Sequence, residues 1–187
     1  ELKVEIHEMK KEMEHLREEN KMALYTATLL SQDKETQAIN IGTELGQLTP
    51  INIISSPKLR AIETAQPLAE LWSIDITIDA RVTEIPTPND IGDRTVWLKK
   101  IMKSDWQNMD SAMLEWQKDI VAALTELTEP AIVFCHFMVI NAVAGWVSNQ
   151  APVLQQMPDH TSINKVTIEN GKLVSFVAGN QLATIIN

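Results

Sequence analysis

The stretch INIISSPKLRAIETAQPLAELWSIDITIDARVTE, residues 51–84, constrains this chain more than any other. It opens on an apolar run, Ile51-Asn52-Ile53-Ile54, with the composition of a strand. It turns at Ser55-Ser56-Pro57 and enters a helical pattern. Ser56 is predicted as the N-cap and Pro57 as the first helical residue, where a missing N–H costs nothing. Arg60 then falls near the N-terminal turn, just past the carboxyl end of a strand. In open α/β sheets ligands gather at that rim, and a helix N-terminus favours anions. A guanidinium at such a place points to a phosphate or carboxylate pocket.

The rest of the chain supports an α/β class. Residues 1–22 form a separate amphipathic segment. Ile6, Met13 and Asn20 take heptad a positions, and Leu2, Met9 and Leu16 take d positions. Glu5, Glu12 and Glu19 fall at g, with Lys10 and Arg17 at e, as in the g-to-e′ ion pairs of a parallel coil. Two readings stay open: a short self-associating coiled coil through residues 2–22, or a single helix packed on its own domain. Ala23–Leu30 follows without a break and reads as a strand or as a continuation of the helix. A helix is expected from about Gln32 to Gly46, with Ala38, Ile39, Ile41, Gly42 and Leu45 on its buried side.

Beyond the opening corner, Ile62, Ala65, Leu68, Ala69 and Trp72 keep a helical stripe, which Pro67 is expected to kink or interrupt. Ile74–Ile78 is a short alternating strand, and Ala80–Pro88 a loop. Helices are predicted over Arg94–Met102 and Met109–Leu127, a buried strand over Ala131–Phe134, and a small-residue helix after His136 through Val147. Asn170-Gly171, between Lys165–Glu169 and Leu173–Val177, is a strong hairpin signal. Strands alternating with helices predict a three-layer α/β/α sandwich over residues 23–187, with a mostly parallel sheet and an antiparallel edge.

Composition narrows the chemistry. At 187 residues and 44% hydrophobic the chain can bury a core as one domain with an appendage. A formal net charge of −9 argues against nucleic acid and against an anionic membrane surface as partners, yet leaves room for a local cationic pocket. No apolar run approaches the roughly 20 residues of a membrane span, and the charged opening residues do not read as a signal peptide. The one cysteine, Cys135, excludes an internal disulfide and fits a reducing compartment, so the expected location is the cytoplasm. Cysteine and histidine are too sparse for a structural zinc site, and no glycine-rich nucleotide loop is present. No metal and no cofactor are expected.

Three residues fall at the same kind of place. Arg60, Glu84 and His136 each follow a predicted strand. Singly, each has an ordinary reading: a surface arginine, a solvated loop carboxylate, a hydrogen-bonded strand-end histidine. Together they make a cationic rim with an acid, suited to phosphoryl chemistry. Arg60 would take equatorial oxygens, His136 would supply charge, and Glu84 would protonate a leaving oxygen. Cys135 reads as core and His160 as structural.

The motifs around these residues resemble the histidine phosphatase superfamily, the phosphoglycerate-mutase-like fold. Ser55-Ser56-Pro57-Lys58-Leu59-Arg60-Ala61-Ile62-Glu63-Thr64-Ala65 is similar to that family's second motif, and the resemblance implies that Arg60 binds the transferred phosphoryl group. Arg81-Val82-Thr83-Glu84-Ile85-Pro86 resembles the acid loop, implying Glu84 as proton donor. Val133-Phe134-Cys135-His136-Phe137 resembles the strand-end motif with the pocket histidine, His136. Met157–Ile163 and the hairpin resemble the closing segment, so the likeness spans roughly residues 31–180.

One part of the family pattern is missing. Members open with a strand ending in Arg-His-Gly, whose histidine forms the phosphohistidine. This sequence contains no Arg-His-Gly. Ala27-Thr28-Leu29 cannot form a phosphoramidate, and His7 and His15 lie in the acidic amphipathic segment without flanking Arg and Gly. Covalent catalysis needs an activated nucleophile, and its loss costs several decades of rate. The expectation is therefore a domain whose ancestral reaction is phosphomonoester hydrolysis or phosphoryl transfer. Catalysis is impaired or lost, and binding of a phosphorylated small molecule, a phosphate-like anion or a protein partner remains. The competing expectation is an active, metal-independent phosphatase whose nucleophile comes from another subunit, or whose N-terminus here is not the native one.

Overall fold

The computed structural model describes residues 36, 38–40, 43, 45–46, 50–158 and 162–179. The heptad segment, residues 23–30, and Asp159, His160 and Thr161 lie outside the described residues.

Three short strands form a parallel sheet: β1 (Asn52–Ser55), β2 (Ile76–Ile78) and β3 (Ala131–Phe134), in the order β2-β1-β3. In β1, Ile53, Ile54 and Ser55 are all buried although successive side chains face opposite ways. That is the pattern of a central strand covered on both faces. Helix α1 (Leu59–Trp72) returns the chain from β1 to the edge strand β2. Its buried residues, Ala61, Ala65, Leu68 and Ala69, pack with Leu45, Ile53 and Phe134 to make one core. Leu45 and Ala38 lie on the buried side of the preceding helical residues as expected, whereas Ile39 is exposed.

A second core joins α3 (Ser111–Thr125) to α4 (Phe137–Ser148). Met113, Trp116 and Ile120 of α3 meet Met138, Val139, Ala142 and Val143 of α4, with Ile85 and Val153. The intervening helix α2 (Arg94–Met102) lays Trp97, Leu98 and Ile101 against this cluster. Aspartates start two of these helices. The Asp93 carboxylate accepts from the Thr95 and Val96 amides, and Asp110 from Met113. Strands β4 (Lys165–Glu169) and β5 (Lys172–Val177) pair antiparallel and pack on the same core through Val166, Leu173 and Phe176. Their turn has φ of 51° at Asn170 and 69° at Gly171, the two positive values that favour Asn-Gly there.

Two local expectations are corrected. Ser56 is not the helix cap: α1 begins two residues later, with Lys58 as N-cap and no side-chain cap. Pro67 does not interrupt α1, which runs through it. Among the described residues the hairpin forms a two-stranded sheet of its own. No helix of the described residues is long and apolar enough to cross a membrane.

Candidate functional site

The register of the parallel sheet sets up the site. Ser55 of β1 is paired with Phe134 of β3, so the residues that follow emerge side by side at the carboxyl ends. The Ser56 amide donates to the Phe134 carbonyl at 3.0 Å, which holds the two exits together. Ser56 and His136 therefore face each other, and the His136 Nε2 lies 2.7 Å from the Ser56 Oγ. The same oxygen accepts the Lys58 amide at 3.2 Å. Ser56 is fully buried and the His136 side chain is only 3% exposed.

Arg60, the second residue of α1, reaches back over this pair. Its Nη2 lies 3.0 Å from the His136 Nδ1 and donates to the Glu84 Oε2 at 3.3 Å. Glu84 comes from the loop after β2. A one-turn helix at Ala80–Val82 starts that loop, with the Asp79 carboxylate accepting the Arg81 amide. Arg81 clamps Asp79 through Nε and Nη2 and reaches Glu126 at the end of α3 through Nη1. The Trp116 indole N–H donates to the Thr83 carbonyl at 3.1 Å, one residue before Glu84. The other Glu84 oxygen accepts the Ile85 amide at 3.1 Å. These contacts together hold the acid loop against α3.

The electrostatics follow from this packing. Burial pushes His136 down to about 4, and the positive charges of Arg60 and Lys58 push the same way. The imidazole is therefore neutral at pH 7. Its 4.0 Å approach to the Glu84 Oε2 is no ion pair. Burial also pushes the Cys135 thiol up to about 12, so no thiolate is available there at neutral pH. Arg60 spends one nitrogen, Nη2, on both neighbours. Among the described residues its Nη1 and Nε carry no hydrogen bond, and its side chain is 53% exposed. Those remaining N–H groups can meet an oxyanion bidentately. No group of three or more His, Cys, Asp or Glu among the described residues is placed to hold a metal ion.

All three residues singled out from the sequence thus meet in one place, lining an open cleft. Sequence reasoning misses two companions. It places Ser56 at the helix cap, yet the hydroxyl serves His136; Lys58 adds positive potential at the imidazole. The signal for Ser56 is positional: it follows β1 as Cys135 follows β3, and in-register parallel strands bring such residues together.

Comparison with known proteins agrees with this geometry. The sequence profile of the histidine phosphatase superfamily (branch 1) matches residues 13–180. Among curated proteins no sequence match is found. Solved structures are similar in fold at low identity. YhfR of Bacillus stearothermophilus aligns with a TM-score of 0.65 at 16% identity, over 80% of this chain and 83% of its own. A mycobacterial glucosyl-3-phosphoglycerate phosphatase aligns with a TM-score of 0.59 at 18% identity, over 80% of this chain and 86% of its own. An Entamoeba histolytica phosphoserine phosphatase variant in complex with phosphoserine aligns with a TM-score of 0.56 at 21% identity, over 76% of this chain and 80% of its own. With the profile spanning most of its length, and the strand-end residues gathered as the motifs implied, this chain belongs to the histidine phosphatase superfamily.

Proposed function

We propose that the Arg60–His136–Glu84 site binds the phosphoryl group of a phosphorylated small molecule, and that the covalent phosphatase cycle is impaired or lost. One observation carries the binding reading. Arg60 is tethered by a single nitrogen between His136 and Glu84 at the carboxyl ends of parallel strands, with its other N–H groups unused among the described residues. An oxyanion entering there would take two parallel hydrogen bonds from the guanidinium. The structural relatives include that mycobacterial phosphatase in complexes with VO3 and with inorganic phosphate, which makes a tetrahedral or related oxyanion the first ligand to try.

The reading of weakened catalysis rests on the sequence. Glu84 could still protonate a leaving oxygen, but no Arg-His-Gly supplies the histidine that would accept the phosphoryl group. Cys135, held as a buried thiol, does not replace it. The competing reading is a metal-independent phosphomonoesterase whose nucleophile comes from another subunit or from a segment outside this sequence.

One set of measurements separates them. Calorimetric titration with inorganic phosphate should show binding that Arg60→Ala abolishes or sharply weakens, while a panel of phosphomonoesters shows no hydrolysis above background. A phosphomonoesterase rate that needs no metal and disappears in Arg60→Ala and His136→Ala would establish the competing reading. Phosphate binding that is absent, or equal in Arg60→Ala, would remove the anion site altogether.

A further inference from the structure

We propose that Ser56 is a positioning residue that lets His136 exchange one neutral tautomer for the other when an oxyanion bound by Arg60 takes the place of the guanidinium nitrogen at the His136 Nδ1. The proposal rests on the anion-binding reading of the site. It concerns a residue that lies behind the imidazole, fully buried, and does not line the cleft.

The tautomer of the state seen here follows from the partners. A guanidinium has N–H groups and no acceptor, so the Nδ1 facing Arg60 at 3.0 Å presents its lone pair. The ring is neutral, being buried and flanked by Arg60 and Lys58. Its one proton is therefore on Nε2, which donates to the Ser56 Oγ at 2.7 Å. Among the described residues, the other charged or titratable groups around the ring are Lys58, Glu84, whose Oε2 is 4.0 Å from Nδ1, and the Cys135 thiol.

This arrangement suits Arg60 and is wrong for an oxyanion. A phosphoryl oxygen brought to the guanidinium would meet a lone pair at Nδ1. Repulsion is avoided if Nδ1 carries the proton and donates. Nε2 then needs a donor in a fully buried place. A backbone carbonyl opposite Nε2 would lock the first tautomer, and a backbone amide would lock the second. A hydroxyl serves both, because it rotates between accepting and donating. The Ser56 Oγ can keep accepting the Lys58 amide in either state, since it has two lone pairs and one hydrogen. In the exchange one N–H bond breaks at Nε2 and one forms at Nδ1. Water supplies the proton gained and takes the proton lost. The ring keeps a single proton and no net charge changes.

The test is ring-nitrogen NMR on protein labelled with 15N-histidine, at about pH 7.5, where a histidine pushed low stays neutral. The His136 signals are identified as those missing in His136→Asn. Without ligand, Nε2 should be protonated and Nδ1 bare. With saturating inorganic phosphate the two should reverse, and the ring should not become imidazolium. Ser56→Ala should not reverse, and its phosphate affinity should fall about tenfold, the size of one lost buried hydrogen bond. Titration with sulfate, which has no proton of its own to exchange in this range, adds a pH profile. It should be nearly flat above about pH 6 for the wild type. In Ser56→Ala it should stay flat and weaker throughout, because an imidazolium would leave its buried Nε2 N–H without an acceptor. Ser56→Thr, which keeps the hydroxyl, should restore reversal and affinity. Phosphate binding with an unreversed ring, an imidazolium in the wild-type complex, or a Ser56→Ala protein identical to wild type would each overturn the proposal. Absence of phosphate binding to the wild type would overturn the anion site and the exchange with it.

Discussion

Two arginines flank the loop after β2, and they are used in opposite ways. Arg81 is saturated. It meets the Asp79 carboxylate through Nε and Nη2 at 2.8–3.2 Å and the Glu126 carboxylate through Nη1 at 2.6 Å. Arg60 touches one carboxylate at 3.3 Å and one imidazole at 3.0 Å, both through Nη2. Arg81 is the less exposed of the two, at 38% against 53%. A guanidinium whose donors are matched by local carboxylates braces the fold. One held by a single nitrogen over a neutral histidine is kept in place without being neutralised. The difference identifies the arginine with capacity left for a ligand, and the greater exposure of Arg60 points the same way.

The largest expected effect breaks that comparison directly. Arg60→Ala should weaken inorganic phosphate binding roughly 30- to 100-fold, the loss of charge-assisted hydrogen bonds to a bound oxyanion. Arg81→Ala should leave the affinity within about threefold, since its partners hold the loop and not the ligand. Calorimetry on both variants checks the pair, and equal losses would mean that the two arginines act as one network.

Next in size is a pH effect on stability that belongs to the Arg60 side. The folded protein holds His136 at about 4, below its ordinary 6.5. Between those values the unfolded chain binds more protons than the folded one, so stability rises with pH. The contribution is complete above about 6.5 and is lost as pH falls toward 4, with a slope of at most about 1.4 kcal/mol per pH unit. Urea titrations from pH 7 to 4 should show this slope, and His136→Asn should flatten it. Arg81 works lower on the scale. Its hydrogen bonds hold the Asp79 carboxyl below the ordinary carboxylate range, so their contribution is present above that range and disappears as pH falls through the depressed value. Arg81→Ala should cost about 1 kcal/mol near neutrality, as expected for a part-exposed pair network, and should flatten the acid limb only.

Legibility in the sequence follows the distance over which each signal acts. The strand Ala131–Phe134, the helix Arg94–Met102 and the Asn170-Gly171 turn are readable because local periodicity, caps and turn chemistry determine them. Arg60, Glu84 and His136 are readable as a group because each follows a strand, and parallel strands deliver such residues to one rim. Ser56 misleads because a serine before proline is also a good helix cap. Only the pairing of Ser55 with Phe134, a contact between segments far apart in sequence, turns its hydroxyl toward His136.

The smallest effect sharpens the contrast from the acid's side. Glu84 contributes to Arg60 one hydrogen bond that an entering oxyanion must compete with, and it adds a negative charge that repels the same oxyanion. Glu84→Gln keeps an oxygen acceptor for the Ile85 amide and removes the charge. Phosphate affinity should therefore rise, by about threefold given the exposure of Arg60 and solvent screening. The corresponding change at Arg81, Glu126→Gln, should not alter affinity at all. Calorimetry on the two variants decides. If Glu84→Gln instead weakens phosphate binding, Glu84 is holding Arg60 in its binding position. The guanidinium would then be preorganised by its carboxylate neighbour, in the same manner as Arg81.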